Sequence, residues 1–526
     1  MSADAIGVAE VIVILLVAAV ALGGLAERTS VPAPVLLVGG GVALAFVPGM
    51  PSVPLQPELV LLVFVAPLLY ADGFFAPARE LRRNAVSIGL LASVLVVGTA
   101  AGVGVVAHYV IGLDWAVAFA VGAALSATDA LAPVQVLERE SAEPRLLAVI
   151  RGESLLNDGV AFALLGVAGT AAASQTFHAA DGVLELALSV VGGVAGGIAA
   201  GWLGGKLRKR APEVRVEAGI SLLTPFVAYV LAELVHGSGI LAAVTAGLWV
   251  GTRSATWSDP LARLEIQSAW RVISFVLNSL LFVLVGLQTH DIIDAVDQPA
   301  GRVLLAGAAI TAAVIGLRLA WALTIAPVWR HTASRISANV RPVASRPWRL
   351  VLGWSGVRGS VALAAALAIP QELEAGGPLP GRDLAILLVL MVILATLLIQ
   401  GLTLRPLVRR MGLTDHDSVA EEERLASKTA SDAALQLLPE AAQRHGLGDD
   451  ELHWIEREYQ LRNLRAHEDS DGEADGVLEA AARTDHELLQ AARESVLQLE
   501  EDGEVRSDVA HEVIRRLDLS SARLRH

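Results

Sequence analysis

Thirteen apolar runs divide the first 410 residues, at roughly 6–25, 31–48, 58–76, 84–110, 114–137, 145–172, 182–205, 217–235, 238–251, 264–288, 302–329, 348–370 and 383–404. Most approach the ~20 residues that a helix needs to cross a bilayer. Lipid offers no hydrogen bonds to a bare backbone, so such runs must fold into structures that satisfy their own N–H and C=O groups. The ninth run is short for a crossing and is expected to tilt into a neighbour or join the eighth. The first carries Asp4 and Glu10 where a cleaved signal peptide would carry bases, so it is expected to stay as a span.

Composition points the same way. Charged residues are 18% of the chain, against about a quarter in a soluble protein. There is no Cys, which excludes disulfides and thiolate metal sites. The charge is unevenly placed. Residues 415–526 hold 28 acids and 13 bases, whereas 1–414 hold 26 and 27. The chain therefore reads as a near-neutral membrane domain, 1–410, followed by an acidic, mainly helical domain, 411–526. An acidic tail is the wrong footprint for nucleic acid. Its negative charge suits basic loops such as Lys206–Arg210, where it is expected to dock.

Loop charge fixes an orientation. With the N-terminus outside, alternate loops on the inside carry 21 Lys and Arg, among them Arg139, Arg145, Lys206, Arg208, Arg405 and Arg409. The outside loops carry two, Arg302 and Arg382. Cytoplasmic loops are the basic ones, so the acidic domain is expected in the cytoplasm of a multi-pass plasma-membrane protein.

Charges inside the spans carry the chemistry. A charge at mid-bilayer costs roughly 2.5–3.5 kcal/mol on insertion scales and marks a pathway or a pair. Asp129 lies in Ser126-Ala-Thr-Asp-Ala-Leu-Ala-Pro133. Pro133 cannot donate to the carbonyl of Asp129, so the helix is expected to break beside the carboxylate. In Arg151-Gly-Glu-Ser-Leu-Leu-Asn-Asp-Gly159, Arg151, Ser154 and Asp158 fall on one helical face. Ser154 and Asp158 offer hard oxygen ligands to a small cation. Asn157 can bridge two backbones or glue two helices. In Gly353-Trp-Ser-Gly-Val-Arg-Gly-Ser360, glycines at spacing three weaken the helix around Arg358. Arg358 needs an acid, and Glu153 is the preferred partner, with Arg151 a rival for the same carboxylate. Asp72 sits near a span end, as a funnel residue or an interfacial acid. Arg318 receives no role. The two interrupted spans, the fifth and twelfth, are seven apart, which fits two inverted repeats of six spans and a linker. Matching broken helices in two halves point to a transporter site.

These three motifs, with Ser238-Gly-Ile-Leu-Ala-Ala-Val-Thr-Ala-Gly247 and Asn278-Ser-Leu-Leu-Phe-Val-Leu-Val-Gly-Leu-Gln288, resemble the monovalent cation:proton antiporter family in its sodium/proton exchanger branch. The resemblance covers nearly all of 1–410. It implies an all-α membrane protein of about 13 transmembrane helices in two inverted repeats, assembled as a homodimer. Asp129 and Asp158 would bind cation and proton, with Thr128 and Ser154 as further oxygen ligands. Glu153 and Arg358 would form a core salt bridge. Asn157 stands where electrogenic relatives carry a second Asp, so exchange of Na+ for H+ would be electroneutral, without cofactor or ATP. Many members have Pro directly after Thr-Asp; here Ala130 holds that place. Exchange of K+ for H+ is the alternative. A cation channel or an intramembrane aspartyl protease built on Asp129 and Asp158 ranks below both.

Overall fold

The computed structural model describes residues 3–445 apart from 30–31, 48–55, 78–80, 82–87, 90, 177–178, 258–259, 295, 297, 326–344 and 414–415, and scattered positions beyond 445. Arg79, Arg82, Arg83, Arg330, Arg335, Arg341 and the acidic stretch 468–476 lie outside the described residues. The chain divides into two compact units, Met1–Thr414 and Asp415–His526. In the second, one long helix is described, His416–His445.

The first unit is built of helices: α1 (Ala3–Arg28), α2 (Ala33–Ala45), α3 (Pro57–Phe75) and α4 (Val96–Ile111). Then come α5 (Trp115–Ser126), α6 (Leu131–Arg139), α7 (Pro144–Ser174), α8 (Ala179–Arg208) and α9 (Val214–Glu233). These are followed by α10 (Gly239–Trp257), α11 (Pro260–Asp294), α12 (Ala300–Ala320), α13 (Arg346–Trp354) and α14 (Ser360–Leu367). α15 (Arg382–Thr396) passes through a π-helical turn, Leu397–Gly401, into α16 (Leu402–Met411). Among the described residues, eight helices are long and apolar enough to cross a membrane. The ninth apolar run, expected to be short, forms a 19-residue helix of its own, α10.

The helices sort into two groups that pack densely within themselves and sparsely across their common face. One holds α4, α5, α7, α12, α14 and α15; the other holds α1, α2, α3, α9, α10 and α11, with α8 packed on α9 and α10. Glycines permit the close approaches in the second group. A Cβ at Gly73 would lie 2.6 Å from the Val244 carbonyl oxygen, and one at Gly286 would lie 2.9 Å from the Gly41 Cα. Lipid tails are as apolar as the side chains, so backbone-to-backbone packing of this kind replaces the hydrophobic effect as the adhesive.

A separate apolar cluster gathers one end of the first group. Leu137 of α6, Leu146 and Val149 of α7, Trp348 and Val351 of α13, and Leu404 and Val408 of α16 are buried together. Beside it, the Glu140 carboxylate accepts hydrogen bonds from Arg405 Nε, at 2.6 Å, and from Arg409 Nε. These two bonds hold the carboxyl down at about 2. Arg208, in the basic stretch Lys206–Arg210, is buried against Glu217 at 3.0 Å.

Candidate ion site at two crossed, interrupted helices

Two helices stop in mid-course and cross at their gaps. The first is interrupted at 127–130, between α5 and α6; the second at 355–359, between α13 and α14. Pro133 falls in the first turn of α6, where its missing N–H leaves no bond unmade. The break falls at Asp129, as the proline argument suggested, and Pro133 opens the helix that follows it. The two gaps pair directly, since the Asp129 amide donates to the Val357 carbonyl at 2.8 Å.

Each gap exposes helix-end carbonyls that carry partial negative charge, and each is answered by an arginine. At the end of α5, Arg358 Nη1 donates to the carbonyls of Ser126 at 3.1 Å and Ala127 at 2.9 Å. At the end of α13, Arg318 Nη2 donates to the Leu352 carbonyl at 3.4 Å. There, too, Gln400 Nε2 reaches the Trp354 carbonyl at 3.0 Å. Ser154 Oγ satisfies the Thr128 carbonyl at 2.6 Å. At the C-terminal end of α14, Arg382 donates to the Leu367 and Ile369 carbonyls at 3.0 and 2.9 Å. One of the two bases that broke the loop-charge rule thus serves as a helix cap.

Glu153 pairs with Arg318, contrary to the expected pair with Arg358. The two guanidinium nitrogens of Arg318 meet the two oxygens of Glu153, Nη2 to Oε2 at 2.9 Å, with both side chains buried. Arg151, the rival, turns away to Glu138, and both partners of that pair are substantially exposed. The physical reason lies in the ends of the broken helices. Arg358 has main-chain carbonyls to accept its hydrogen bonds, which leaves Glu153 to the other buried guanidinium. Sequence held one clue, since Arg318 is a span arginine that also needs an acid.

The remaining residues converge on the first gap. Asn157 straps it from α7, its Nδ2 donating to Thr128 Oγ1 and its Oδ1 accepting from the Thr128 amide at 3.5 Å. Asp158, one residue on, is 2% exposed, and its Oδ1 has no hydrogen-bond partner. Asp129 lies at the start of α6 and against Gly359, at the start of α14, so two helix N-termini point toward it. A Cβ at position 359 would lie 2.5 Å from the Asp129 Cβ. With Gly359 at φ −140°, it is space and not backbone freedom that requires glycine. Asp72, on α3, is exposed, yet it acts electrostatically on both Asp129 and Asp158. The structure thus brings together Asp72, Thr128, Asp129, Ser154, Asn157 and Asp158. Among the described residues there is no cluster of three His, Asp or Glu set for a metal ion, so any cation here would depend on hydroxyl and carbonyl oxygens beside the carboxylates.

Crossed half-helices with a buried acid at the crossing define a secondary transporter. Residues 12–410 match the family described as sodium/hydrogen exchanger, transmembrane. An uncharacterized Na+/H+ exchanger of Mycobacterium tuberculosis is 35% identical over 494 residues, 93% of this chain and 90% of the relative. The Na+/H+ antiporter ApNhaP of Aphanothece halophytica is 33% identical over 73% of this chain and 70% of its own. A sodium, potassium, lithium and rubidium/H+ antiporter of Bacillus pumilus is 32% identical, over 74% and 60%. In fold, the chain is similar to the sodium proton antiporter MjNhaP1 of Methanocaldococcus jannaschii, with TM-score 0.59 and 17% identity over 78% of this chain and 99% of that one. The chain belongs to the sodium/hydrogen exchanger family, whose members are multi-pass cation:proton antiporters and not enzymes. That excludes the intramembrane protease reading.

Proposed function

We propose that this protein exchanges Na+ for H+ across the plasma membrane, one for one, at a site made by Asp129 and Asp158 with oxygens from Thr128 and Ser154. The observation that carries the reading is Asp158: a buried carboxylate whose Oδ1 has no partner in the protein, beside a gap whose other charges are accounted for. Glu153 is neutralised by Arg318, and Arg358 hydrogen-bonds the carbonyls of α5. Asp158 is the acid whose Oδ1 is left to meet a mobile charge, and Asp129 stands in the neighbouring gap.

Antiport then follows from competition. A bare carboxylate in a dry site is costly, and either a proton or a cation removes that cost. If the site moves only when neutralised, inward passage of one ion requires outward passage of the other. Alternating access is supplied by movement of the group of α4, α5, α7, α12, α14 and α15 against the other. Ser154 can serve as a ligand while donating to Thr128, because its lone pairs stay available. The thirteen-span plan with inverted halves, an outside N-terminus, a cytoplasmic acidic domain and a homodimer belong to the same proposal. The names of the relatives support Na+, and one of them extends the ion set to potassium, lithium and rubidium.

Proteoliposomes with a pH dye, challenged in turn with Na+, Li+ and K+, test the reading. Na+ should drive proton movement, and Asp158→Asn should abolish it while the protein still purifies as a folded species. Full exchange by Asp158→Asn would remove this site from the mechanism.

A further inference from the structure

The two helix groups must move past each other if the proposed exchange is right, and a polar contact crosses the plane between them. Ser360 Oγ, on the first residue of α14, donates to Asn278 Oδ1 on α11 at 2.5 Å. Ser360 is 5% exposed, and Asn278 is half-buried. Ser360 directly follows Gly359, the residue that cradles Asp129. The chain of contact runs from α11 through Asn278 and Ser360 to Gly359 and so to the carboxylate. α14 is only eight residues long and begins in a gap, so fixing its first residue fixes how the gap presents itself to Asp129.

We infer that Asn278 is a positioning residue for exchange, a latch offered by the second helix group that holds α14 in this conformation and must let go for the site to reach the opposite face. The inference rests on the antiport reading and adds to it the point at which one group grips the other. A hydrogen bond between neutral groups is exchangeable at modest cost, which suits a contact made and broken in every cycle. The bond stabilises one of two states, so its removal shifts the ratio of those states by about fivefold. Apparent affinity scales with the fraction of protein in the competent state. The effect is therefore sided. Cation affinity weakens on the face that this conformation serves and does not weaken on the other.

The test is the apparent KM for Na+ measured separately from each face in oriented vesicles, for wild type, Asn278→Ala, Ser360→Ala and the double variant. Either single change should raise KM several-fold from one face, without raising it from the opposite face and without lowering kcat. The double variant should be no worse than either single, because both remove the same bond. Ser360→Thr keeps the hydroxyl and should behave as wild type. A merely structural role would weaken both faces together or depress kcat. Equal change on the two faces, additive losses or unaltered KM would overturn the inference. If wild type itself shows no Na+-driven proton movement in the same vesicles, the antiport reading fails and the latch falls with it.

Discussion

Arg318 and Arg358 carry the same charge in the same region and meet different partners. Arg318 forks onto Glu153, so removing it leaves a buried carboxylate uncompensated. Loss of one member of such a pair costs roughly 3–5 kcal/mol. Arg318→Ala should lower the melting temperature in detergent sharply, and adding Glu153→Gln should recover much of the loss. Arg358→Ala removes a charge that hydrogen-bonds helix-end carbonyls, and Glu153→Gln should recover less of its loss than it does for Arg318→Ala. If Glu153→Gln instead rescued Arg358→Ala and not Arg318→Ala, the pairing would be wrong. Gly359→Ala makes a different point at the same scale. Its methyl must displace Asp129, so exchange should fall steeply with little change in melting temperature. The buried acids are legible in the sequence because each is a charge inside an apolar run. Their pairing is not, because Glu153 and Arg318 are 165 positions apart and only the folded arrangement, which brings Arg318 to Glu153 and Arg151 to Glu138, decides between three arginines.

At the scale of elements, the interrupted helices are also legible, since Pro133 and the glycines around Arg358 act locally on the backbone. What answers the freed carbonyls is not, because Gln400, Arg382 and Arg318 come from other helices. The end of α6 offers a pH test. Hydrogen bonds from Arg409 and Arg405 hold the Glu140 carboxyl down at about 2 from an ordinary 4.5. A depressed carboxylate contributes its full stability above the unfolded value and loses it as pH falls through the folded one. The gap in stability between wild type and Glu140→Gln should thus stay constant from pH 8 to about pH 5 and shrink below about 4.5. Both arginines are more than half exposed, so salt should narrow that gap as well. A gap that grew on acidification would show that the bonds are not made. The clasp ties the end of α6 to α16, and it should stay closed at any pH near neutrality.

For the whole molecule, Met1–Thr414 is a compact unit of its own. A chain ending after Thr414 should therefore fold and exchange cations for protons, with any change confined to regulation; loss of folding on truncation would count against that independence. The membrane character and the split in charge are legible from composition alone. The division into two helix groups is not, because it depends on which apolar faces meet. The central claim is that H+ and cation compete for one set of oxygens, and its most direct test is the pH dependence of the apparent KM for Na+ in proteoliposomes. Competition requires KM to rise about tenfold for each unit of acidification once the site is mostly protonated, with kcat at saturating Na+ unchanged. A KM indifferent to pH, with kcat falling instead, would mean that proton and cation occupy separate sites.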